Sequence, residues 1–441
     1  MPPASHKPLS SNQSWGVAIL GTIALVYFTV FIFLFKRPQE HITELYFADR
    51  MTEAHRILIN QYNELHAGKI RVIPVNFPNP DFSTDTRKEI LARSLRGDDD
   101  GIDLLAVDVI WVQRFAKWCE PLGKYFTDEE RKRITPIALS SCYHDGELVA
   151  VPLDIAEAVV YYRTDLLAQE PRGKELLQKV QKEMSWDDFL KIKNEFHESK
   201  YPFYIFPASD YEGLICCFIE ILLSEKPDYF TSIGFRFDTP EAKNALRVLV
   251  DLVHKNGATP AIVSDLTEVP SYEYFIKHDG LFLHGWNTYD QDFKKTPIDA
   301  AKEQYLKRMP VPTYPGGKPA AVLGGWNLMV PRASKNKEAV IDFIKFLLRD
   351  ESQEIFYTQG GYFPITNSFY HDSLYLRKYP EINTIVDLLK TGVHRPSQEE
   401  YTKDSKIMSR YFYLAIKGVI TIDDAVKNVD ASIESERSLT P

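Results

Sequence analysis

The chain has 441 residues, of which 44% are hydrophobic and 26% are charged, a composition typical of a globular protein. This length exceeds what one hydrophobic core usually supports, so we expect two domains. The net charge of −9 and the pI of about 5.7 argue against a nucleic-acid-binding protein, because such proteins need a basic face toward the phosphates.

After an N-terminal tail, residues 1–14, an apolar run of 21 uncharged residues covers 15–35 (WGVAILGTIALVYFTVFIFLF). At about 1.5 Å per residue, a helix over this run spans about 30 Å, enough to cross a bilayer. The run ends in FIFLFKRP, which has no small-residue cleavage site, and no cysteine that could carry a lipid precedes Cys119. We therefore predict an uncleaved transmembrane anchor.

The orientation of this anchor is ambiguous from charge. Lys36 and Arg37 follow the run and only Lys7 precedes it, which slightly favours a cytoplasmic C-terminal side. The function inferred below requires the opposite orientation, with the domains outside the cytoplasm. We adopt that orientation because large domains translocate largely regardless of such counts.

Hydrophobic patterning beyond the anchor predicts alternating strands and helices. Residues 41–48 alternate like a strand, 51–68 follow as a helix ending at a glycine, and 69–77 form the next strand. A helix over 84–99 and a buried strand over 101–110 follow. Strand, helix, strand, helix, strand is the pattern of a parallel sheet with helical crossovers.

The same alternation continues along the rest of the chain. Residues 147–167 form a long extended stretch that enters a helix near Thr164, and Ser185 caps a helix that begins SWDDFL. Further strands cover 280–287 and 308–331. The pattern predicts an α/β fold of two lobes joined by strands.

An amphipathic helix follows the motif GGWNLMVP, residues 324–331. Its apolar residues Val340, Phe343, Ile344 and Leu347 recur at i, i+3, i+4 and i+7, behind a predicted cap at Asn336. This helix lies on a core. The glycine pair before the tryptophan predicts a sharp turn or a close approach of the backbone to another group.

The sequence contains none of the common catalytic motifs, such as G-x-S-x-G, H-E-x-x-H, a P-loop or a dinucleotide fingerprint. The 11 histidines lack metal-ligand spacing, and the acidic run 98–101 lacks the ligands of a calcium loop. We predict no catalytic residue, no metal and no cofactor. A glycoside hydrolase stays open, because two of Asp108, Asp154 and Asp210 can converge as acid and nucleophile.

Two residue pairs allow simple structural interpretations. Tyr161 and Tyr162 are neighbours on a strand and point to opposite faces, so we expect one in the core and one at the surface or in a cleft. Cys119 and Cys142 could form a disulfide in an exported protein, although spacing alone does not decide this.

Several segments, in this order, resemble the extracellular solute-binding proteins of bacterial ABC importers, in particular the maltose- and trehalose-type branch. They are GIDLLAVDVIWVQRFAKWCEPL (101–122), GELVAVPLDIAEAVVYYRTDLL (146–167), SWDDFL (185–190), HDGLFLHGWN (278–287), GGWNLMVPRASKNKEAVIDFIKFLL (324–348), SQEIFYTQGGYFPITN (352–367), RPSQEEY (395–401) and GVITIDDAVKNV (418–429). The ordered set covers nearly all of the chain after residue 40. Departures are the ending Tyr162-Arg163 of the crossing strand, the acidic GDDDGID, and the membrane span in place of a cleaved or lipid-anchored signal.

The resemblance implies a two-lobed, periplasmic-binding-protein-like fold of type II with a ligand cleft between the lobes. The first lobe would hold 41–154 and 319–368, and the second 155–318 and 369–441. Sheets of this kind bind ligands at the strand ends, and closure of the lobes is a hinge motion.

The resemblance also implies a carbohydrate site with aromatic platforms and polar rims. Trp111, Trp286 and Trp326 would face the cleft, and Gly325 would let the backbone approach the ligand. Carboxylates accept strong hydrogen bonds from hydroxyl groups. The polar candidates are Asp49, Asp108, Asp154, Asp210, Tyr211 and Tyr362.

Three functions follow from this interpretation. The first is a monomeric, membrane-anchored protein that captures a disaccharide or oligosaccharide for the permease subunits of an ABC importer, on the periplasmic or extracellular side. In the second, the same lobes report occupancy to a membrane sensor kinase. The third is a glycoside hydrolase.

Overall fold

The fold is described from a computed structural model covering residues 21–28, 42–77, 84–97, 101–195, 201–289 and 301–439. Most of the predicted anchor, the N-terminal tail and the acidic residues 98–100 lie outside these ranges. Residues 21–28 of the apolar run are helical, with exposed side chains. Within the described ranges, no helix has both the length and the apolar character needed to cross a membrane.

Thirteen strands and a larger number of helices alternate along the described chain. The strands are β1 Thr43–Asp49, β2 Ile70–Asn76, β3 Leu104–Asp108, β4 Tyr143–His144, β5 Glu147–Leu148, β6 Val151–Pro152, β7 Ala156–Arg163, β8 Tyr204–Ile205, β9 Phe282–Trp286, β10 Leu306–Met309, β11 Ala321–Gly324, β12 Trp326–Met329 and β13 Gly392–His394. The helices of ten or more residues are Glu53–Leu65, Thr84–Arg96, Trp186–Glu195, Glu212–Glu225, Pro240–His254, Glu268–Lys277, Lys337–Leu347, Asp350–Gly360, Tyr401–Ile416 and Ile422–Leu439. The shorter helices are Val112–Phe115, Asp128–Lys132, Pro136–Ser140, Thr164–Ala168, Gly173–Lys179, Tyr229–Ser232, Asn367–His371, Ser373–Lys378 and Ile382–Leu389.

The first lobe is built on a sheet of five strands in the order β2-β1-β3-β12-β6. Strand β1 is parallel to β2 and β3, which confirms the predicted parallel arrangement. Strand β12 returns from far along the chain and runs antiparallel to β3 and β6. The start of β12 therefore lies beside the end of β3.

The second lobe is built on a sheet in the order β13-β11-β7-β9-β8, with β10 also paired to β7. The helix Glu212–Glu225 packs against β11, and Glu268–Lys277 packs against β9. All eight residues of β7 are buried, so Tyr161 and Tyr162 both lie in the core. The expectation that one of them is at the surface was wrong, because both faces of this sheet are covered.

Two short connections carry the chain between the sheets. One lies between β6 and β7, at Leu153–Ile155, and the other lies between β11 and β12, at Gly325. The predicted lobe boundaries stay a prediction. Strand pairing places β11 in the second sheet, although the predicted division gave residues 319–324 to the first lobe.

The helix Lys337–Leu347 has the predicted apolar face. Val340, Phe343, Ile344 and Leu347 are all at most 1% exposed. Asn336 occupies the N-cap position, but its side chain does not accept a helix N–H. Its amide instead donates to the Glu44 carbonyl and the Asp103 carboxylate, both at 3.3 Å, so Asn336 joins the helix to β1 and to the segment before β3.

All four cysteines are free thiols in the structure, and each is buried. Cys119 and Cys142 therefore do not form the disulfide that the sequence allowed. Burial raises the pKa of the Cys119 thiol to about 12, so it is protonated at neutral pH. These thiols act as small apolar core residues.

Candidate ligand-binding site

Trp326 lies where the two sheets meet. It is the first residue of β12, and its Cα pairs with Asp108, the last residue of β3. Its backbone N–H donates to Oδ1 of Asp154 at 2.6 Å, and its carbonyl accepts from Leu153 N at 2.8 Å. The tryptophan is thereby fixed at the edge of the first sheet, with its side chain half-buried.

The glycine before Trp326 is required by geometry. Gly325 has φ of +127°, a conformation that residues with a Cβ rarely adopt. A Cβ at this position would lie 2.6 Å from the Asp154 carbonyl oxygen. The predicted close approach is thus to the crossing segment at Asp154.

Arg87, on the helix Thr84–Arg96, covers one face of Trp326. Its guanidinium carbon lies 3.9 Å from the indole centroid, within the range of a cation–π interaction. Nη2 of Arg87 also lies 2.8 Å from Oδ1 of Asp49. The arginine is only 3% exposed, and its Nε has no hydrogen-bond partner among the described residues.

Asp49 is buried at the end of β1 and contacts two side chains, His55 and Arg87. His55 Nε2 lies 3.1 Å from its Oδ2, and Arg87 lies at its other oxygen. Burial alone raises the pKa of Asp49, but the contacts with His55 and Arg87 outweigh this, so the pKa lies below its usual value. Asp49 is therefore an ionised carboxylate that orients Arg87 over Trp326.

Asp154 is 3% exposed, and only one of its two carboxyl oxygens has a hydrogen-bond partner among the described residues. Its Oδ1 accepts the Trp326 N–H, while Oδ2 is buried without a hydrogen-bond partner in the described part of the chain. Burial, reinforced by the negative charges of Asp49 and Asp108, raises the pKa of Asp154 to about 8. This carboxyl group is thus protonated at neutral pH and has an open position.

The other two candidate tryptophans contact the same region from opposite sides. Trp111 packs edge-on against Trp326 with ring centroids 5.7 Å apart, but it is only 1% exposed. Trp111 packs behind Trp326, and its indole ring is not exposed to a ligand. Trp286, at the end of β9 in the second sheet, is half-buried and lies against Gly324, where an added Cβ would be 3.1 Å from its ring.

Tyr362 lies close to the buried carboxylates of the first lobe. Its ring meets Phe356 and His55 edge-on, at centroid distances of 5.8 and 6.2 Å. Burial and the charges of Asp154 and Asp49 raise the pKa of its hydroxyl, which stays protonated. It places a hydroxyl beside the site as a donor and acceptor.

Asp108 takes part in the contact between the lobes. Its Oδ1 accepts the Ile110 N–H at 3.1 Å and a hydrogen bond from Arg395 Nη2 at 3.0 Å. Arg395 follows β13 in the second sheet, and its Nη1 donates to Glu212 at 3.0 Å. One guanidinium therefore links carboxylates from both lobes.

Asp210 and Tyr211 lie at the start of the helix Glu212–Glu225, in the second lobe. Asp210 Oδ1 accepts from the Ser409 hydroxyl at 2.7 Å, and Lys406 and Arg410 lie within 3.9 and 3.6 Å of the carboxylate. Its carboxylate is engaged within its own lobe. The Tyr211 hydroxyl is buried, and burial followed by the charge of Glu268 raises its pKa well above the usual value.

A small cavity of about 20 Å³ lies between the lobes beside these residues, with room for a water molecule. It is lined from the first lobe by Lys88, Ile110 and Trp111, and from the second lobe by Glu212, Thr402, Ser405, Lys406 and Ser409. The lobes are thus in direct contact here.

Comparison with known proteins agrees with this architecture. Residues 47–354 match the family described as bacterial extracellular solute-binding protein. The chain belongs to this family. A relative from Deinococcus radiodurans, named a probable ABC transporter-binding protein, is 26% identical over 347 residues, covering 77% of this chain and 80% of the relative. Members of the family are solute-binding proteins and not enzymes, so the glycoside hydrolase is set aside.

Solved structures of other solute-binding proteins have the same fold. Maltose-bound MalE3 of T. maritima superposes with a TM-score of 0.79 at 25% identity, covering 89% of this chain and all (100%) of that one. The cyclic α-maltosyl-1,6-maltose binding protein of Arthrobacter globiformis gives a TM-score of 0.71 at 22% identity, covering 89% and 98%. The second likeness shows the fold alone. Together they confirm the predicted two-lobed α/β architecture.

Sequence reasoning missed several charged residues of the site in this solute-binding protein. Arg87, His55, Glu212 and Arg395 were not among the candidates, although all four contact a candidate carboxylate or its partner. Arg395 opens the segment RPSQEEY that carried part of the resemblance, so a signal for it existed. Arg87 and His55 lie on ordinary amphipathic helices, which gave no such signal.

One group of metal-ligand types lies outside the site. Cys217, Glu220 and His284 are buried in the second lobe with their ligand atoms within 4.8 Å of one another. His284 Nε2 lies 2.8 Å from Glu220 Oε2, and Glu220 Oε1 accepts the Val322 N–H at 3.1 Å. His284 Nδ1 lies 3.6 Å from Cys217 Sγ, so both ring nitrogens of the histidine and both oxygens of the glutamate have partners within the core.

Proposed function

We propose that the protein captures a carbohydrate, a disaccharide or an oligosaccharide, in the cleft between its lobes and delivers it to an ABC import system. The proposal places Trp286, Trp326 and the surrounding carboxylates against the sugar. Family membership supports the capture of a solute. The maltose-bound relative, at 25% identity, supports the choice of a sugar.

The observation that carries the choice of ligand is a pair of unsatisfied groups around Trp326. Asp154 Oδ2 and Arg87 Nε each lack a hydrogen-bond partner among the described residues, and both are buried. A buried polar group without a hydrogen-bond partner costs free energy, so a bound molecule that supplies both missing partners gains affinity. Hydroxyl groups both donate and accept, and adjacent hydroxyls on a sugar ring supply these partners within a short span.

The aromatic rings supply the second half of the recognition. Sugar rings have apolar C–H faces, and indole rings offer flat apolar surfaces to cover them. Arg87 occupies one face of Trp326, so the sugar would pack against its remaining surface and against Trp286. In this arrangement polar edges meet Asp154 and Arg87, and the ring face meets indole.

Calorimetry with maltose, trehalose and maltotriose tests the proposal. We expect a dissociation constant in the micromolar range for at least one of them, with the sugar recovered unchanged. Such an affinity, about −8 kcal/mol at micromolar dissociation constant, permits both capture and release. A folded sample, verified by circular dichroism, that binds none of the three would contradict the choice of ligand.

We propose further that residues 15–35 anchor the protein to the membrane, with the lobes on the periplasmic or extracellular side. The length and uncharged character of this run support the anchor. Retention in the membrane fraction after an alkaline carbonate wash tests it. Affinity capture from detergent extracts then identifies the partner, since permease subunits support import and a sensor kinase would replace import with sensing.

A further inference from the structure

Among the described residues, two ion pairs join the first lobe to the segment 395–401 that follows β13, and they differ sharply in burial. Asp108 and Arg395 lie 3.0 Å apart with side chains 15% and 2% exposed. Lys117 and Glu399 lie 2.6 Å apart with side chains 52% and 46% exposed. Exposed pairs contribute little because water screens them, whereas a buried pair is strongly coupled to the geometry that brings its partners together.

The buried Arg395 donates hydrogen bonds to one carboxylate in each lobe. Nη2 of Arg395 donates to Asp108 of the first lobe, and Nη1 donates to Glu212 of the second lobe, each at 3.0 Å. Glu212 Oε1 also accepts from the Tyr401 hydroxyl at 2.8 Å. Arg395 is thus anchored in the second lobe by Glu212 and reaches across the gap to Asp108.

We propose that Arg395 stabilises the closed arrangement of the lobes through its ion pair with Asp108, an interlobe contact that we call the clasp. Opening of the lobes separates Arg395 from Asp108 while leaving the Arg395–Glu212 pair intact. The closed state then gains a charge-assisted hydrogen bond that the open state lacks. The clasp concerns the equilibrium between open and closed protein and holds whichever solute the cleft binds.

The clasp has a consequence for binding. A two-state protein binds its ligand with an affinity reduced by the fraction of molecules that are not in the binding-competent conformation. A built-in preference for closure lowers the cost of closing on the ligand. It also slows entry of the ligand, because the cleft opens less often.

Distance measurement by double electron–electron resonance tests the clasp without any ligand. Spin labels at Gln61→Cys in the first lobe and Asn428→Cys in the second occupy exposed helical positions, and the four native cysteines are buried and resist labelling. The full chain is used in detergent. We expect Asp108→Asn to raise the ratio of open to closed molecules roughly tenfold, with a longer distance population shifted by several Å.

Three further variants make the outcome specific. Lys117→Ala removes the exposed interlobe pair and leaves the distances unchanged, and Glu212→Gln leaves them closed because the contact with Asp108 remains. Arg395→Lys opens the lobes as Asp108→Asn does, which keeps the test valid if one variant folds poorly. The proposal is overturned if Asp108→Asn and Arg395→Lys both show the same label-to-label distances as the parent protein. It is also overturned if Lys117→Ala opens the lobes as much as those two variants do. None of these results depends on sugar binding.

Discussion

The guanidinium of Arg87 lies 3.9 Å from the centroid of the Trp326 ring and is held there by Asp49. The tryptophan that the family resemblance places in the cleft as an aromatic platform is therefore covered on one face by a cation. This changes the chemistry of the site. The first lobe presents a fixed donor, the Arg87 guanidinium, beside an indole. It also holds Asp154 Oδ2, a buried carboxyl oxygen without a hydrogen-bond partner among the described residues, near the backbone of the same tryptophan.

Removing this cation should affect both stability and binding. Arg87→Ala deletes the cation–π contact and leaves the buried Asp49 carboxylate with His55 as its remaining side-chain contact of this pair. We expect a loss of about 3 kcal/mol in the free energy of unfolding, measured by urea denaturation, because breaking a buried ion pair strands a charge. We also expect at least about tenfold weaker binding of maltose by calorimetry.

Arg96→Ala is the matched control for Arg87→Ala. Arg96 lies on the same helix, and its guanidinium lies 5.9 Å from the Trp118 ring, but its side chain is exposed. We expect a change within about 0.5 kcal/mol and unaltered affinity. Equal losses from the two substitutions would show that the Arg87 contact has no special role.

Gly325 should tolerate no side chain. Gly325→Ala forces a Cβ into the left-handed region and 2.6 Å from the Asp154 carbonyl oxygen. We expect a loss of about 3 kcal/mol or more in the free energy of unfolding, since both backbone strain and a clash result. Gly316→Ala, at φ +78° with nothing within 4 Å, should cost only about 1 kcal/mol. Similar costs for both would mean that the approach at Asp154 is not tight.

Asp154 should make stability depend on pH. Its pKa is about 8 in the folded protein and lies near 3.8 in the unfolded chain, so the folded state binds the extra proton between these values. The sign is therefore a loss of stability as pH rises from about 4 to about 8. Asp154→Asn keeps the acceptor for the Trp326 N–H and removes the titration.

We expect Asp154→Asn to raise the melting temperature more at pH 8 than at pH 5, in thermal unfolding followed by circular dichroism. The largest pH-dependent change in the free energy of unfolding is on the order of a few kcal/mol, since each pKa unit corresponds to about 1.4 kcal/mol. The parent and the variant should converge toward pH 4. A gain that is the same at both pH values would show that Asp154 is ionised in the folded protein.

Trp286 should matter for ligand binding more than for folding. Trp286→Ala removes an indole that is half-buried at the end of β9, and we expect maltose binding to weaken about 10- to 100-fold by calorimetry. Trp118→Ala removes another half-buried indole, which packs against Phe115 and under Arg96 and Lys117, and should leave the affinity unchanged. If both substitutions lower affinity equally, the effect comes from stability and not from contact with the sugar.

The sequence by itself determined the alternation of strands and helices, and with it the α/β fold. The strands β1, β2 and β3, the burial of Val340 and Phe343, and the turn at Gly325 all follow from local periodicity and from the conformational freedom of glycine. These features depend on residues that are near one another in the chain.

Tertiary structure alone decided how the polar side chains are paired. Asp108 and Arg395 are 287 residues apart, and Asp154 reaches Trp326 across 172 residues. Hydrophobic patterning places each of these residues at a strand end or in a loop, but it does not predict which charged side chain pairs with it. Trp111 and Tyr161 are likewise buried because other elements cover them. Contacts between distant segments depend on how the lobes pack, and that packing fixes which carboxylate stays unpaired.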